Sequence, residues 1–347
     1  MSRTSINIQS ICGLGLIDPL EKLMLARDVL RHSRLYYRNT LIVWVMTIIV
    51  LWTALSTNRN WLSMLIALVG LYLCSILWLT YKSVHPGKSF FRRRISHLNI
   101  DLEAEKVNFL SRDGLQLYGW FLKGEKQPVV ILLHGLGATS LSMSCQARLC
   151  QRAGYNVLMF DFRAHGDSQG DTITGEMEIN DVFGALDYLA SRPDVDANQV
   201  GILGVHYGAV IALYAASQSA AIKAVVLESI GPATLTDHGG RPETLRRWIV
   251  YPFNWLLYSL FDFMSGVERR EGVVELLHLI YPRPVLFIST GRGKEQYFVR
   301  RFFDAARHPK TLLDVPHASR GIAALVDFQT YQEKVLTVLA RAFRDDR

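Results

Sequence analysis

The pattern of apolar and polar residues divides this chain into two different regions. In the first region, Leu41–Leu55 and Trp61–Leu79 contain no charged residue. With short polar flanks, each stretch is long enough for a helix to cross about 30 Å of hydrocarbon. Only Ser56–Asn60 separates the two stretches, which is the length of a helical-hairpin turn. We therefore predict a transmembrane helical hairpin over residues 41–81. A pair of buried core helices is the alternative.

In the second region, short apolar runs alternate with amphipathic segments. This alternation predicts a mostly parallel sheet with helices on both faces, preceded by a hairpin whose turn contains Asp113-Gly114. The predicted strands are Lys106–Leu110, Leu115–Leu122, Pro128–Leu133, Tyr155–Phe160, Gln199–Leu203, Ile222–Leu227, Pro284–Ile288 and Thr311–Val315. The predicted helices are Leu141–Arg152, Gly175–Ser191 and Tyr207–Gln218, and Gly321–Phe343 is predicted to be largely helical.

These patterns predict four domains or segments. A basic cytoplasmic segment covers 1–40, the helical hairpin 41–81, a basic connector 82–100 and an α/β domain 101–347. Because functional groups collect at the carboxyl ends of parallel strands, we expect the functional site of the α/β domain at that edge of the sheet.

Positive charge is concentrated around the apolar pair. Residues 1–100 contain twelve Lys and Arg against three Asp and Glu, a net charge of +9, whereas the remaining residues carry −2. Short loops rich in Lys and Arg stay on the cytoplasmic side of a membrane. We therefore expect an integral membrane protein with two spans, whose termini and α/β domain are cytoplasmic, in a bacterial inner membrane. The basic flanks make the lipid bilayer an expected partner, and the slightly acidic large domain argues against nucleic acid.

Four short motifs in the second region occur in a recognisable order. They are Ser111–Phe121, Leu132–Gly137, Asp161–Ser168 and Arg192–Ala209, the last of which contains Gly204-Val205-His206-Tyr207-Gly208. Together they resemble the α/β-hydrolase fold, in its serine esterase and peptidase-like branch, over roughly residues 105–345. The resemblance implies a nucleophile elbow, G-x-S-x-G, at Gly204–Gly208. It also places a cap-like insert at about 231–281.

The resemblance assigns three catalytic roles, and this chain substitutes all three. His206 stands at the nucleophile position of the elbow. Lys294 stands where the carboxylate is expected after the seventh strand, with Glu295 one residue further on. Arg320 stands at the position of the histidine base after the eighth strand. Because a triad requires a hydroxyl or thiol nucleophile, a base and an acid, these substitutions predict that hydrolysis is lost.

The backbone of the site is expected to persist. The resemblance implies an oxyanion hole made by the backbone N–H of Tyr207 and that of Leu136 or its neighbour Gly135. The helix that begins at Tyr207 directs the positive end of its dipole to the same place. A small anionic or acyl ligand is therefore a further expected partner. The alternative is a closed pocket without a ligand.

Other polar residues at strand ends leave alternatives open. Glu228 is expected either to pair with His206 and raise its pKa or to be an ordinary salt-bridged or solvated glutamate. His317 is an alternative base, although a base without a nucleophile achieves nothing. His134, His206, Glu228 and His317 together include the ligand types of zinc, but His134 is usually structural in this motif. We predict no metal and no cofactor.

Three functions follow from these assignments. The first is a membrane-anchored pseudo-hydrolase with a ligand-binding or regulatory role, for which a membrane protein is a further expected partner. The second is an active esterase or acyl hydrolase with a non-standard site. The third is a structural membrane partner whose pocket has no function. The accessibility of the elbow separates the third function from the other two, and an activity measurement separates the first from the second.

Overall fold

The computed structural model describes residues 52, 61–85, 104–239, 245–267, 270–290, 293–316, 318 and 323–343. The chain divides into two compact units, Met1–Lys82 and Ser83–Arg347. The predicted segment 1–40 and most of the connector 82–100 lie outside the described residues.

Helix α1, Trp61–Val84, covers the second apolar segment. Among its described side chains, eight large apolar ones are exposed: Leu65, Leu68, Val69, Tyr72, Leu73, Leu77, Trp78 and Tyr81. Within the described ranges, no helix is both long and apolar enough to cross a membrane. The first apolar segment, Leu41–Leu55, lies outside the described residues apart from Trp52, so the hairpin remains a prediction.

The second unit contains one eight-stranded sheet with helices on both faces. The strand order is β1-β2-β4-β3-β5-β6-β7-β8. β2 pairs antiparallel with β1 and β4, and the other pairs are parallel. The strands are β1 Glu105–Leu110, β2 Gln116–Leu122, β3 Val129–Leu133, β4 Asn156–Phe160, β5 Val200–Val205, β6 Ile222–Glu228, β7 Val285–Ser289 and β8 Lys310–Asp314. The helices of this unit are α2 Ser144–Arg152, α3 Glu178–Ala190, α4 Tyr207–Gln218, α5 Leu245–Ser265, α6 Val273–Leu279, α7 Gly293–Ala305, α8 Ala323–Val326 and α9 Phe328–Ala342.

The two faces of the sheet bury separate apolar clusters. One cluster joins the strands to α3, α4, α6 and α7, and the other joins them to α2, α8 and α9. β3, β4, β5 and β7 are buried at every position, because each strand packs against a helix layer on both sides. This explains why the strands appear in the sequence as continuous apolar runs, and all eight predicted strands are present.

Contacts of single side chains explain where some of the predicted helices begin and end. The segment predicted to be largely helical, Gly321–Phe343, contains two helices, α8 and α9, because Asp327 leaves the helical conformation and accepts a hydrogen bond from Thr330 N–H at 3.2 Å. Such a side-chain cap begins a new helix. The helix predicted from Gly175 begins at Glu178, whose carboxylate instead accepts hydrogen bonds from Thr174 and Gly175 N–H.

A buried arginine connects the opening hairpin to α3. Arg163 donates two hydrogen bonds to Asp113 in the hairpin turn, at 2.7 and 2.8 Å. It also donates to Asp181 of α3 at 2.6 and 3.0 Å. Burial alone would lower the pKa of Arg163, but the two carboxylates raise it above its ordinary value. The arginine therefore stays charged and holds three separate chain segments together.

We predict that Arg163→Met lowers the free energy of unfolding by about 3–5 kcal/mol, because it leaves the buried Asp181 carboxylate without its cation. The control is Arg112→Met. Arg112 also pairs with an aspartate, Asp187, but the two side chains are 50% and 56% exposed, so its loss costs about 1 kcal/mol or less. Urea unfolding of both variants measures the difference, and equal losses would contradict the prediction.

Candidate functional site

The connection between β5 and α4 is a single strained residue. β5 ends at Val205 and α4 begins at Tyr207. Between them His206 has φ 53° and ψ −106°, a backbone conformation that non-glycine residues seldom adopt. The His206 N–H donates to the Glu228 carbonyl oxygen of β6 at 2.8 Å. The sharp strand-to-helix turn of an elbow is therefore present, with an imidazole at its apex.

Gly204 and Gly208 are required by close backbone contacts. A Cβ atom on Gly204 would overlap the backbone of Gly208 and lie 2.6 Å from the Ala209 nitrogen. A Cβ atom on Gly208 would overlap the Leu133 carbonyl and lie 2.6 Å from the carbonyl oxygen of His134. All these obstacles are backbone atoms, which cannot rotate away as a side chain can. The elbow therefore needs glycine at both positions.

The backbone N–H groups of Leu136 and Tyr207 donate to no acceptor among the described residues. Tyr207 N–H is the first amide of α4, so it has no acceptor within its own helix. The loop that carries Leu136 lies beside the elbow, because a Cβ on Gly135 would be 3.7 Å from the His206 Cβ. Two unsatisfied N–H groups and the N-terminus of α4 favour a negatively charged or strongly polarised oxygen at this place.

Two buried histidines hold this loop in position. The His134 ring accepts from Phe162 N–H at 3.1 Å and contacts the Gly135 carbonyl oxygen at 2.8 Å. His165 accepts from Gly137 N–H at 3.0 Å and contacts the Arg163 carbonyl oxygen at 2.9 Å. Both rings are therefore fully used within the protein.

Burial keeps these two histidines neutral. Burial, together with the nearby His165, lowers the pKa of His134 to about 3, and burial also lowers the pKa of His165. A neutral imidazole with one accepting and one donating nitrogen matches the partners that each ring has. Since both ring nitrogens of His134 are occupied, this geometry leaves none for a metal or a ligand.

The two candidates for the acid position lie in different environments. Lys294, at the start of α7, is exposed. Glu295 is buried, and its carboxylate accepts hydrogen bonds from the Thr290 N–H at 3.2 Å, the Thr290 hydroxyl at 3.0 Å and the Ser289 hydroxyl at 3.4 Å. The Glu295 carboxylate therefore stabilises the turn after β7.

Glu228 is completely buried at the end of β6. Its carboxylate accepts from the Tyr331 hydroxyl at 2.9 Å and from Ala323 N–H at 3.3 Å. Burial raises the pKa of Glu228, although the hydrogen bond from Tyr331 opposes the rise. The expected pairing between the side chains of Glu228 and His206 is thus replaced by a backbone contact, and the carboxyl group faces α8 and α9 instead of an ionic partner.

Two remaining candidates, His317 and Arg320, lie outside the described residues, so their proposed roles stay predictions. Within the described ranges, no group of three or more His, Cys, Asp and Glu side chains is arranged to hold a metal ion.

Sequence inspection missed one residue next to the elbow. Ser229, which follows β6, has φ 54°, and its buried hydroxyl has no hydrogen-bond partner in the described structure. Nothing in the sequence around Ser229 indicates a positive φ, since the residue is neither glycine nor asparagine.

The insert between β6 and β7 consists mainly of α5 and α6. Asp237 joins its beginning to α6, because its carboxylate accepts from Ala233 N–H and from Val273 N–H, each at 2.9 Å. On α5 the aromatic side chains of Trp255 and Phe263 are 53% and 84% exposed. The insert therefore presents apolar surface outward, while a buried carboxylate fixes its beginning to α6.

Comparisons with known proteins agree with this architecture. Residues 128–263 match the family model described as the alpha/beta hydrolase fold. The thiohydrolase aneE of Aspergillus aculeatus is 31% identical over 37% of this chain and 42% of its own length. The uncharacterized protein YfhR of Salmonella typhi is 33% identical over 37% of this chain and 49% of its own length. The chain thus spans less than half the length of these two curated relatives.

A solved structure extends the likeness to nearly the whole fold. The esterase Pf2001 of Pyrococcus furiosus superimposes with a TM-score of 0.57 and 23% identity, covering 75% of this chain and 98% of the esterase. The class of fold predicted from the four motifs is therefore confirmed. This chain has the α/β-hydrolase fold, with a mostly parallel sheet and an elbow at His206.

We predict that Gly208→Ala lowers the free energy of unfolding by about 3 kcal/mol or more, because the new methyl group overlaps two carbonyl oxygens. The control is Gly231→Ala, where an added Cβ would meet no atom within 4 Å. Chemical denaturation followed by circular dichroism measures both changes. A Gly208→Ala variant as stable as the Gly231→Ala variant would show that the elbow is not packed as described.

Proposed function

We propose that this chain is a catalytically impaired protein of the α/β-hydrolase fold that binds a small anionic or acyl ligand at the elbow. One observation carries the proposal: the backbone of a nucleophile elbow is kept at His206, φ 53°, while the apex side chain is an imidazole. The strained turn and its two glycines persist, although the residue that would use them is absent.

The chemistry of acyl transfer supports the proposed loss of hydrolysis. A serine or cysteine nucleophile carries a proton that a neighbouring base removes, and an acid orients that base. His206 supplies no hydroxyl or thiol. Of the two acid candidates, Lys294 is an exposed cation and Glu295 is committed to Thr290 and Ser289. These two environments support an impaired hydrolytic triad at this site.

The remaining groups favour binding of a carboxylate or acyl oxygen. The unsatisfied N–H groups of Leu136 and Tyr207 and the N-terminus of α4 would surround one oxygen of such a ligand. These backbone donors do not depend on the identity of the apex side chain. Ligand binding could thus persist after the loss of hydrolysis, and a regulatory role would follow if the bound state alters contacts with a partner.

An active hydrolase of esters or thioesters is the second candidate. The names of two similar proteins, an esterase and a thiohydrolase, favour it, as does the preserved elbow backbone. In that case an unrecognised nucleophile would act beside the same oxyanion hole.

We predict that the wild-type protein neither hydrolyses a panel of short-chain acyl esters and thioesters nor reacts with a serine-directed phosphonate. The combined variant His206→Ser, Lys294→Asp, Arg320→His should become labelled by the phosphonate, because it returns a nucleophile to the retained turn. The matched control carries His206→Ala with the same two other changes, and it should stay unlabelled. Mass spectrometry of the labelled protein locates the adduct.

The contrary result is that the wild-type protein turns over an ester or thioester and that His206→Ala or another substitution at the elbow abolishes that turnover. This result would overturn the impaired-enzyme proposal in favour of the second candidate. Absence of both turnover and carboxylate binding would instead favour a structural role in which the pocket has no function.

We further propose that the N-terminal region attaches the α/β domain to a lipid bilayer on its cytoplasmic side. Support comes from the uncharged stretch Leu41–Leu55, the eight exposed apolar side chains of α1 and the net charge of +9 over residues 1–100. Exposed apolar surface of this extent is unusual for a soluble helix, and basic flanks bind anionic headgroups.

We predict that the full chain stays with the membrane pellet after extraction with alkaline carbonate, because apolar contact with lipid resists high pH. Replacing Leu65, Leu73 and Leu77 of α1 by Gln should release a larger fraction, whereas replacing the exposed Leu110 of β1 by Gln should not. Release of the wild-type protein by carbonate would contradict lipid attachment and would indicate a protein partner at the membrane.

A further inference from the structure

Ser229 lies beside the elbow at the carboxyl edge of the sheet. In the parallel pairing of β5 and β6, Val205 is opposite Glu228, so the next residues, His206 and Ser229, leave the two strands side by side. Neighbouring strands are about 4.8 Å apart. The Ser229 N–H donates to the Ile288 carbonyl oxygen of β7 at 2.8 Å, which fixes the backbone at this place.

The backbone of Ser229 is strained in the same sense as that of His206. Among the described residues, the non-glycine residues with positive φ are Ala164, His206 and Ser229, with φ of 60°, 53° and 54°. Two of the three therefore occur at the ends of adjacent strands. Glycine would adopt this conformation without strain, and backbone strain of this kind is concentrated at functional sites.

The side chain of Ser229 has a second unusual property. The residue is 1% exposed, and no described residue pairs with its hydroxyl. Burying a hydroxyl without a hydrogen-bond partner is unfavourable, and nearly all buried polar groups in proteins have one. Strain and an unsatisfied hydroxyl occur together at one position, on the strand that neighbours the elbow strand, and they indicate a partner from outside the chain.

We propose that Ser229 is a ligand-binding residue and that the ligand at the elbow is a carboxylate. This inference rests on the proposed ligand site. One oxygen of the carboxylate accepts from the N–H groups of Leu136 and Tyr207, and the other accepts from the Ser229 hydroxyl. A carboxylate offers two acceptor oxygens in one plane, which suits donors on the two sides of the β5 strand end.

The experiment compares hexanoate binding to the full-length, detergent-solubilised protein and to Ser229→Gly by isothermal titration calorimetry. Glycine removes the hydroxyl and also relieves the strain. We expect hexanoate affinity to fall about ten- to one-hundredfold, as for loss of a hydrogen bond to a charged group, while the melting temperature stays the same or rises. Ser229→Ala should lose the same affinity without the gain in stability, because alanine keeps the strained φ.

Ala164→Gly is the matched control, since Ala164 shares the positive φ and is buried. It should bind hexanoate as the wild type does. If the wild type binds hexanoate and Ser229→Gly binds it equally well, the role of Ser229 is wrong while the proposed ligand site stands. If affinity falls only in variants whose melting temperature also falls, Ser229 is structural. If the wild type does not bind hexanoate, the ligand site and this inference both fail.

Discussion

The turn between β5 and α4 is the constraint on which the site depends. One residue, His206, reverses the chain from strand to helix, and it does so only because the backbones of Gly204 and Gly208 approach closer than any Cβ would permit. That contact sets the direction of α4 and places the Tyr207 N–H at the carboxyl edge of the sheet. It also brings the His206 N–H to the Glu228 carbonyl, so the ends of β5 and β6 are fixed together.

Residues that touch no ligand hold the rest of the site. Neutral His134 and His165 fix the loop around Leu136 through its backbone, and Glu228 joins the end of β6, the strand beside the elbow strand, to α8 and α9. None of these contacts requires a nucleophile at position 206. This separation between scaffold and chemistry explains how the fold keeps its geometry when the catalytic residues differ, and why similarity to an esterase describes the fold better than the reaction.

Sequence patterns predicted the parts of this structure that depend on local composition. Continuous apolar runs identified the strands, and Gly204 and Gly208 identified the turn. The environments of individual site residues depend instead on tertiary contacts. Lys294 and Glu295 are adjacent in the chain, yet one is exposed and the other is bound to Thr290. The partner of Glu228 is Tyr331, over a hundred residues away, and the positive φ of Ser229 follows from the ends of β6 and β7. No local pattern encodes such contacts.

If the elbow backbone still binds a ligand oxygen, the Tyr207 N–H is one of its donors. His206-Tyr207 is the only His-Tyr pair in the sequence, so labelling histidine carbonyls with ¹³C and tyrosine nitrogens with ¹⁵N gives one selectively detected NMR signal, that of the Tyr207 amide. On titration with hexanoate, we predict a saturable downfield shift of this proton, as expected when an N–H begins to donate to a carboxylate. A signal that stays unchanged at millimolar hexanoate would contradict ligand binding by the elbow backbone.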